Sequence, residues 1–160
     1  MREMAEPQAA DDLAFEALAG SLGLLLRLAQ LTSFRDFFDD LGPLGVRPGE
    51  ASVLMLIGSN PGVRQGVLAK RLMVKRAHMA KMMAAMERAG LVARRVPADD
   101  RRAVELRLTP KGAAEVARIR APFLAHEARA TGPLTAREAE TLRRLLRKYL
   151  GIAPPAGAGP

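Results

Sequence analysis

One short stretch, VPADDRRAVELRLT from Val96 to Thr109, constrains this chain more than any other part of it. Behind a turn rich in Asp and Arg it places Val104, Leu106 and Leu108 at every second position. That is the period of a strand with one buried face. Most of the remaining chain follows the period of a helix. The chain is therefore expected to be mainly α with a small β-hairpin, its strands near 92–96 and 104–108 joined by 97–102.

The helices can be counted by their apolar stripes and stop signals. From Asp11 to Leu41, one stripe holds Leu18, Leu22, Leu25 and Ala29, and another holds Leu24, Leu28 and Leu31, continued by Phe34, Phe38 and Leu41. So wide an apolar arc calls for more than one covering neighbour. GPLG at 42–45 ends this helix. Pro48 suits the first position of a second helix running to Gly58, and SNPG at 59–62 is a turn. A short helix over RQGVLAKRLM turns Val67, Leu68 and Leu72 inward. A tight turn near Met73 to Lys75 leads to a longer helix ending near Ala89, with Met79, Met82, Met83 and Met86 as its apolar core face and Gly90 as its cap. Thr109 and Pro110 read as the cap and first residue of a helix to about Ala130, with Val116, Ile119, Phe123 and Leu124 inside and a bend at Pro122. Thr135 and Glu138 form a T-x-x-E capping box for a last helix carrying Leu142, Leu145, Leu146, Tyr149 and Leu150.

Composition narrows the function classes. The 160 residues suit one domain, 1–160, with 1–10 and 152–160 as flexible tails. Cysteine is absent, which removes disulfides, thiolate zinc sites and thiol redox sensing. The apolar run Leu22 to Leu26 stops at Arg27, and no other run comes near the roughly 20 apolar residues of a membrane span. The acidic N-terminal residues do not form a secretory signal. A soluble, cytoplasmic protein is expected. There is no H-E-x-x-H, no phosphate-binding P-loop and no nucleophile beside its base, so neither an enzyme nor a cofactor is expected. Asp99 and Asp100 lack further ligands at metal spacing, so no metal is expected either.

The charge is more informative. The chain carries a net +8, and the segment from Arg64 to Arg107 alone carries +8, with 12 basic and 4 acidic residues. The remainder is neutral. An imbalance confined to one block points to a polyanionic partner. Within that block the order is short helix, turn, helix, hairpin, which is a winged helix-turn-helix pattern. The second helix of such a pair fits a DNA major groove. Its polar face puts Arg76, Ala77, His78, Ala80 and Lys81 nearest base edges, with His78 facing either DNA or solvent. Arg76 has the fork to bind guanine N7 and O6. Lys70, Arg71 and Lys75 suit phosphates, and Arg94 joins them. The hairpin tip offers Arg101 or Arg102 to a minor groove or to phosphates. An adjacent aspartate would pair with one of the arginines and hold the wing's shape.

The stretch from Leu68 to Gly112, with LAKRL, MERAGLVARR, the D-x-R at Asp100 to Arg102, and LRLTPKG in that order, resembles the MarR family of bacterial transcription regulators. The resemblance implies double-stranded DNA as a partner and a homodimer, with 11–41 and 110–151 as dimerisation helices around a winged helix-turn-helix at 47–109. It makes Arg102 the minor-groove arginine and Asp100 its orienting partner. It implies a repressor on an inverted-repeat operator, released by a small aromatic or anionic effector held by Phe34, Arg35, Phe38, Met55 and Phe123. His126 is the other lone histidine, either structural or part of that pocket. Val74, Lys75 and Arg76 depart from the family's capped start of the recognition helix, so its first turn is expected to lack a side-chain cap. The competing expectation is an architectural or protein-interaction module that binds DNA without reading its sequence.

Overall fold

A computed structural model describes residues 18–98 and 103–154. The expected tail at 1–10, residues 155–160 of the expected tail at 152–160, the start of the first helix at 11–17, and the wing-tip residues Asp99, Asp100, Arg101 and Arg102 lie outside the described residues.

Among the described residues, six helices and three short strands follow one another as α1 Leu22–Leu41, a 3-10 turn Gly42–Leu44, α2 Pro48–Ser59, β1 Val63–Arg64, α3 Gln65–Arg71, α4 Arg76–Arg88, β2 Val92–Arg95, β3 Glu105–Leu108, α5 Pro110–Arg129 and α6 Ala136–Leu150. The winged helix-turn-helix order is present, and the sheet adds a strand to it. β3 lies between β1 and β2, antiparallel to both, with Val63 opposite Leu106 and Val92 opposite Leu108. Two residues carry no readable period, so β1 is made by its pairing rather than by its own sequence.

Three further expectations are corrected. Leu18 stands before α1 rather than on its stripe, because Ser21 caps the helix by accepting from the Leu24 amide. Val67 and Leu124 do not point inward; they are 57% and 56% exposed. Leu68 and Ala69 anchor the inner face of α3, with Leu72 only partly buried. Helix α5 runs from Pro110 to Arg129 with Pro122 inside it, so the Arg118 carbonyl lacks its usual helical donor.

Two cores hold these elements. One joins α2, α3, α4 and the sheet around Ile57, Leu68, Met79, Met83, Met86, Val92 and Leu106. The methionine face is thus core, filled by unbranched side chains that adapt to the irregular space between helices and sheet. The other core joins α1, α2 and α5 through Phe37, Leu41, Val46, Ala51 and Ile119. Phe37 packs edge-on against Phe123 and His126. His126 is structural: it is 2% exposed, and its Nδ1 lies 2.7 Å from Asp40 Oδ2, an oxygen that also accepts from Arg129 at 3.0 Å. This cluster ties the end of α1 to the end of α5. The hydrogen bond from His126, then that from Arg129, holds the Asp40 carboxyl below its ordinary pKa.

Outside these cores the outer helices are bare. Leu22, Leu25, Leu28, Leu31, Phe34 and Phe38 on α1, and Leu142, Leu145, Tyr149 and Leu150 on α6, are all exposed, and α6 buries only Ala139. The Thr135–Glu138 capping box closes as expected, with Glu138 accepting from the Thr135 amide at 2.8 Å. Among the described residues no helix is long and apolar enough to cross a membrane.

Candidate nucleic-acid interface

Helix α4 buries Met79 and Met83 fully, while Ala77 and Lys81 are exposed on the far side, His78 and Ala80 on its flanks, and Arg76, seven residues before Met83 and on the same stripe, at the exposed start of the helix. Burial of the methionines fixes how far the polar face projects. Lys75 occupies the cap position and makes no side-chain cap bond, as its chemistry requires. The first amides of α4 thus remain open beside cationic side chains, an arrangement that favours an anion.

The turn before α4 is held by backbone. Met73 donates to the Lys70 carbonyl at 3.2 Å and Val74 to the Ala69 carbonyl at 2.9 Å. Met73 adopts φ +54 and is 82% exposed. Lys70 and Arg71, in the last turn of α3, are exposed next to it. The structure thus gathers Lys70, Arg71, Lys75, Arg76, Ala77, His78 and Lys81 along α3, the turn and α4. Arg94 stands apart on β2 and pairs with Glu87 of α4 at 3.3 Å. It therefore braces the hairpin against the recognition helix. The wing aspartates that the sequence suggests as partners for such an arginine, Asp99 and Asp100, lie outside the described residues.

LTPKG is a junction that fixes α4 relative to α5. The Thr109 hydroxyl donates to the Gly90 carbonyl at 2.6 Å and accepts from the Gly112 amide at 3.0 Å. Lys111 donates to the Ala89 carbonyl at 2.8 Å, placing a cation at the C-terminal end of α4. A Cβ on Gly112 would overlap the Leu91 carbonyl oxygen. These residues act through backbone approach, so the side-chain pattern alone could not have revealed the role of Gly112.

The five residues expected at an effector pocket do not converge within the chain. Met55 and Phe123 line a cleft of about 470 Å³ between α2 and α5, with Gly58, Ser59, Leu108, Val116, Arg120 and Leu124. Phe34 and Phe38 instead lie half exposed on α1, and Arg35 is exposed and paired with Asp36 at 3.4 Å. Arg120 is the cation on that cleft. Only the packing of α5 across α2 brings it there, 65 positions after Met55. Exposed Leu124 is explained by the same cleft.

A model of the MarR family matches residues 46–104, which takes in α2 through β2 and stops just before β3. A Thauera aromatica protein described as a transcriptional regulatory protein for the hcr operon is 34% identical over 138 residues, 86% of this chain and 83% of the relative. The transcriptional repressor CouR, solved on a 23-mer DNA duplex, superposes with a TM-score of 0.78 at 34% identity, covering 86% of this chain and 98% of that one. A Mycobacterium tuberculosis MarR family protein, solved with p-aminosalicylic acid, superposes with a TM-score of 0.64 at 29% identity over 80% of this chain and 97% of that one. With matching fold, matching helix-turn-helix and a relative aligned along most of both lengths, the chain belongs to the MarR family of transcription regulators.

Proposed function

We propose that this chain is a cytoplasmic, homodimeric transcription repressor that binds an inverted-repeat DNA operator. The observation that carries the reading is α4 itself, which buries Met79 and Met83 and exposes Arg76, His78 and Lys81. Arg76, Ala77, His78 and Lys81 meet base edges, Lys70, Arg71 and Lys75 meet phosphates, and Arg94 positions the wing. Arg102, oriented by Asp100, and Arg101 reach the minor groove from the wing. The bare faces of α1 and α6, in the segments 11–41 and 110–151, meet their copies in the dimer, and their two-fold symmetry sets half-sites about one DNA turn apart. A small aromatic or anionic effector enters the cleft of Met55 and Phe123, with Arg120 in the role expected of Arg35. The relative solved with p-aminosalicylic acid supports that chemistry.

The test is selection of bound fragments from sheared source DNA at near-physiological salt. A few enriched sites sharing an inverted repeat support the proposal. Arg76→Ala should then lose about 1–3 kcal/mol of operator binding. Equal retention of all fragments refutes sequence reading and favours the architectural module.

A further inference from the structure

Apolar side chains lie bare beside two of the candidate DNA-binding cations. Between α3, the turn after it and the end of α6 is a groove of about 440 Å³ whose lining includes Val67, Lys70, Arg71, Leu72, Leu150 and Ile152. Val67, Leu150 and Ile152 are each about half exposed, and Lys70 and Arg71 are exposed next to them. Among the described residues no carboxylate pairs with either cation. A duplex can neutralise both cations, but its phosphate surface cannot dehydrate the apolar walls. An occupant that satisfies the whole groove must bring carboxylates and apolar side chains together.

One segment of this chain has that chemistry. Residues 1–17, outside the described residues, hold the carboxylates Glu3, Glu6, Asp11, Asp12 and Glu16 against the single cation Arg2, with Met4, Leu13 and Phe15 among them. The chain enters α1 through a turn in which the Ser21 amide donates to the Leu18 carbonyl at 2.8 Å, so nothing obliges this leader to continue along the α1 axis. Its reach is sufficient. Helix α1 has 20 residues and is about 30 Å long. The end of α1 packs on α2 through Phe37, Leu41 and Ala51, and α2 packs on Leu68 of α3. The extended leader spans about 56 Å, enough to return along α1 to α3. We infer that this acidic leader occupies the groove in the DNA-free protein, with its carboxylates on Lys70 and Arg71 and its apolar side chains against Val67 and Ile152. The inference rests on the DNA-binding reading above and adds a competitor to it. Leader and phosphates take the same two cations, so DNA must displace the leader before α3 can seat.

The chain lacks cysteine, so Val67→Cys in the whole chain gives one thiol whose alkylation by a neutral maleimide reports cover over the groove. A leader docked in about four-fifths of molecules slows alkylation about fivefold and weakens DNA binding by the same factor. Glu3→Gln with Glu6→Gln removes two exposed ion pairs and loosens docking about fivefold. Alkylation should then quicken about threefold, and, with Val67 intact, mixed-sequence DNA should bind about threefold tighter. Asp39→Asn with Glu127→Gln makes the same change of net charge at exposed sites on α1 and α5; it should leave alkylation unchanged and tighten DNA binding less. Equal alkylation with and without the leader carboxylates overturns the proposal, as does tightening no greater than this control's. Protection that survives neutralisation and rises with protein concentration assigns the groove to a second copy and also overturns it. If the unaltered protein binds no DNA in a salt-dependent way, the DNA-binding reading itself has failed, and alkylation still decides whether the leader docks.

Discussion

Substituting Gly112 by Ala sets two physical effects against each other, and the sign of the result decides between them. Gly112 lies in the first turn of α5, where helix propensity alone favours Ala by about 1 kcal/mol. Against this, the added methyl would overlap the Leu91 carbonyl oxygen, a backbone atom that cannot swing aside like a side chain. Relief requires α5 to move away from the strand entrance. That movement strains the Thr109 hydroxyl bond to Gly90, the Gly112 amide bond to Thr109 and the Thr109 amide bond to Leu91, now 2.6, 3.0 and 3.0 Å. At about 1 kcal/mol net for each bond, their loss outweighs the propensity gain and leaves a destabilisation of about 2 kcal/mol. For a chain of this length, that lowers Tm by about 4–8 °C. Urea unfolding followed by circular dichroism, with a thermal melt beside it, measures the effect. A Gly112→Ala protein as stable as the parent, or more so, would refute the steric argument and leave only propensity.

Other perturbations test other parts of the structure. Met73→Gly should stabilise the fold by about 0.5–1 kcal/mol, because the turn needs a left-handed residue and the exposed methionine loses little packing; a lower urea midpoint would show that its side chain makes packing contacts after all. Asp40 has a folded pKa below its ordinary value, through His126 first and Arg129 second. Its contribution is therefore present above the unfolded carboxylate pKa and disappears as pH falls through the folded one; Asp40→Asn should flatten that acid limb in a Tm-against-pH series, and parallel curves would contradict the assignment. The bare helix faces give a dimerisation test. Leu28 and Leu145 are 38% and 49% exposed, so covering what remains is worth about 1 kcal/mol each. Replacing both by Arg removes four such contacts per dimer and weakens association by about a thousandfold or more; light scattering should report the monomer mass, and an intact dimer would move the interface elsewhere.

Much of this molecule could be read from the order of its residues. The two-residue period at Val104, Leu106 and Leu108, the stop at Gly90 and the caps at Thr109 and Thr135 act over a few positions. The helices α2 to α6 and the hairpin accordingly fall close to where those signals put them. The polar face of α4 was legible for the same reason, since the burial of Met79 and Met83 determines which residues remain outside. The misses share a different cause. Val67 and Leu124 satisfy a helical stripe, yet nothing among the described residues covers them. β1 has no pattern of its own. Arg120 and Phe37 enter the picture only when α1, α2 and α5 cross.

The sequence by itself determined the helical body, its single hairpin and the confinement of the positive charge to Arg64–Arg107, because period, capping and charge are properties of neighbouring residues. Only the tertiary structure decided that β3 takes a third strand, that Arg94 braces α4 through Glu87, that Gly112 must lack a side chain, and that the end of α6 shares a groove with Lys70 and Arg71. Each of these depends on the separation of atoms far apart in the chain, and that separation exists only after the two cores have packed.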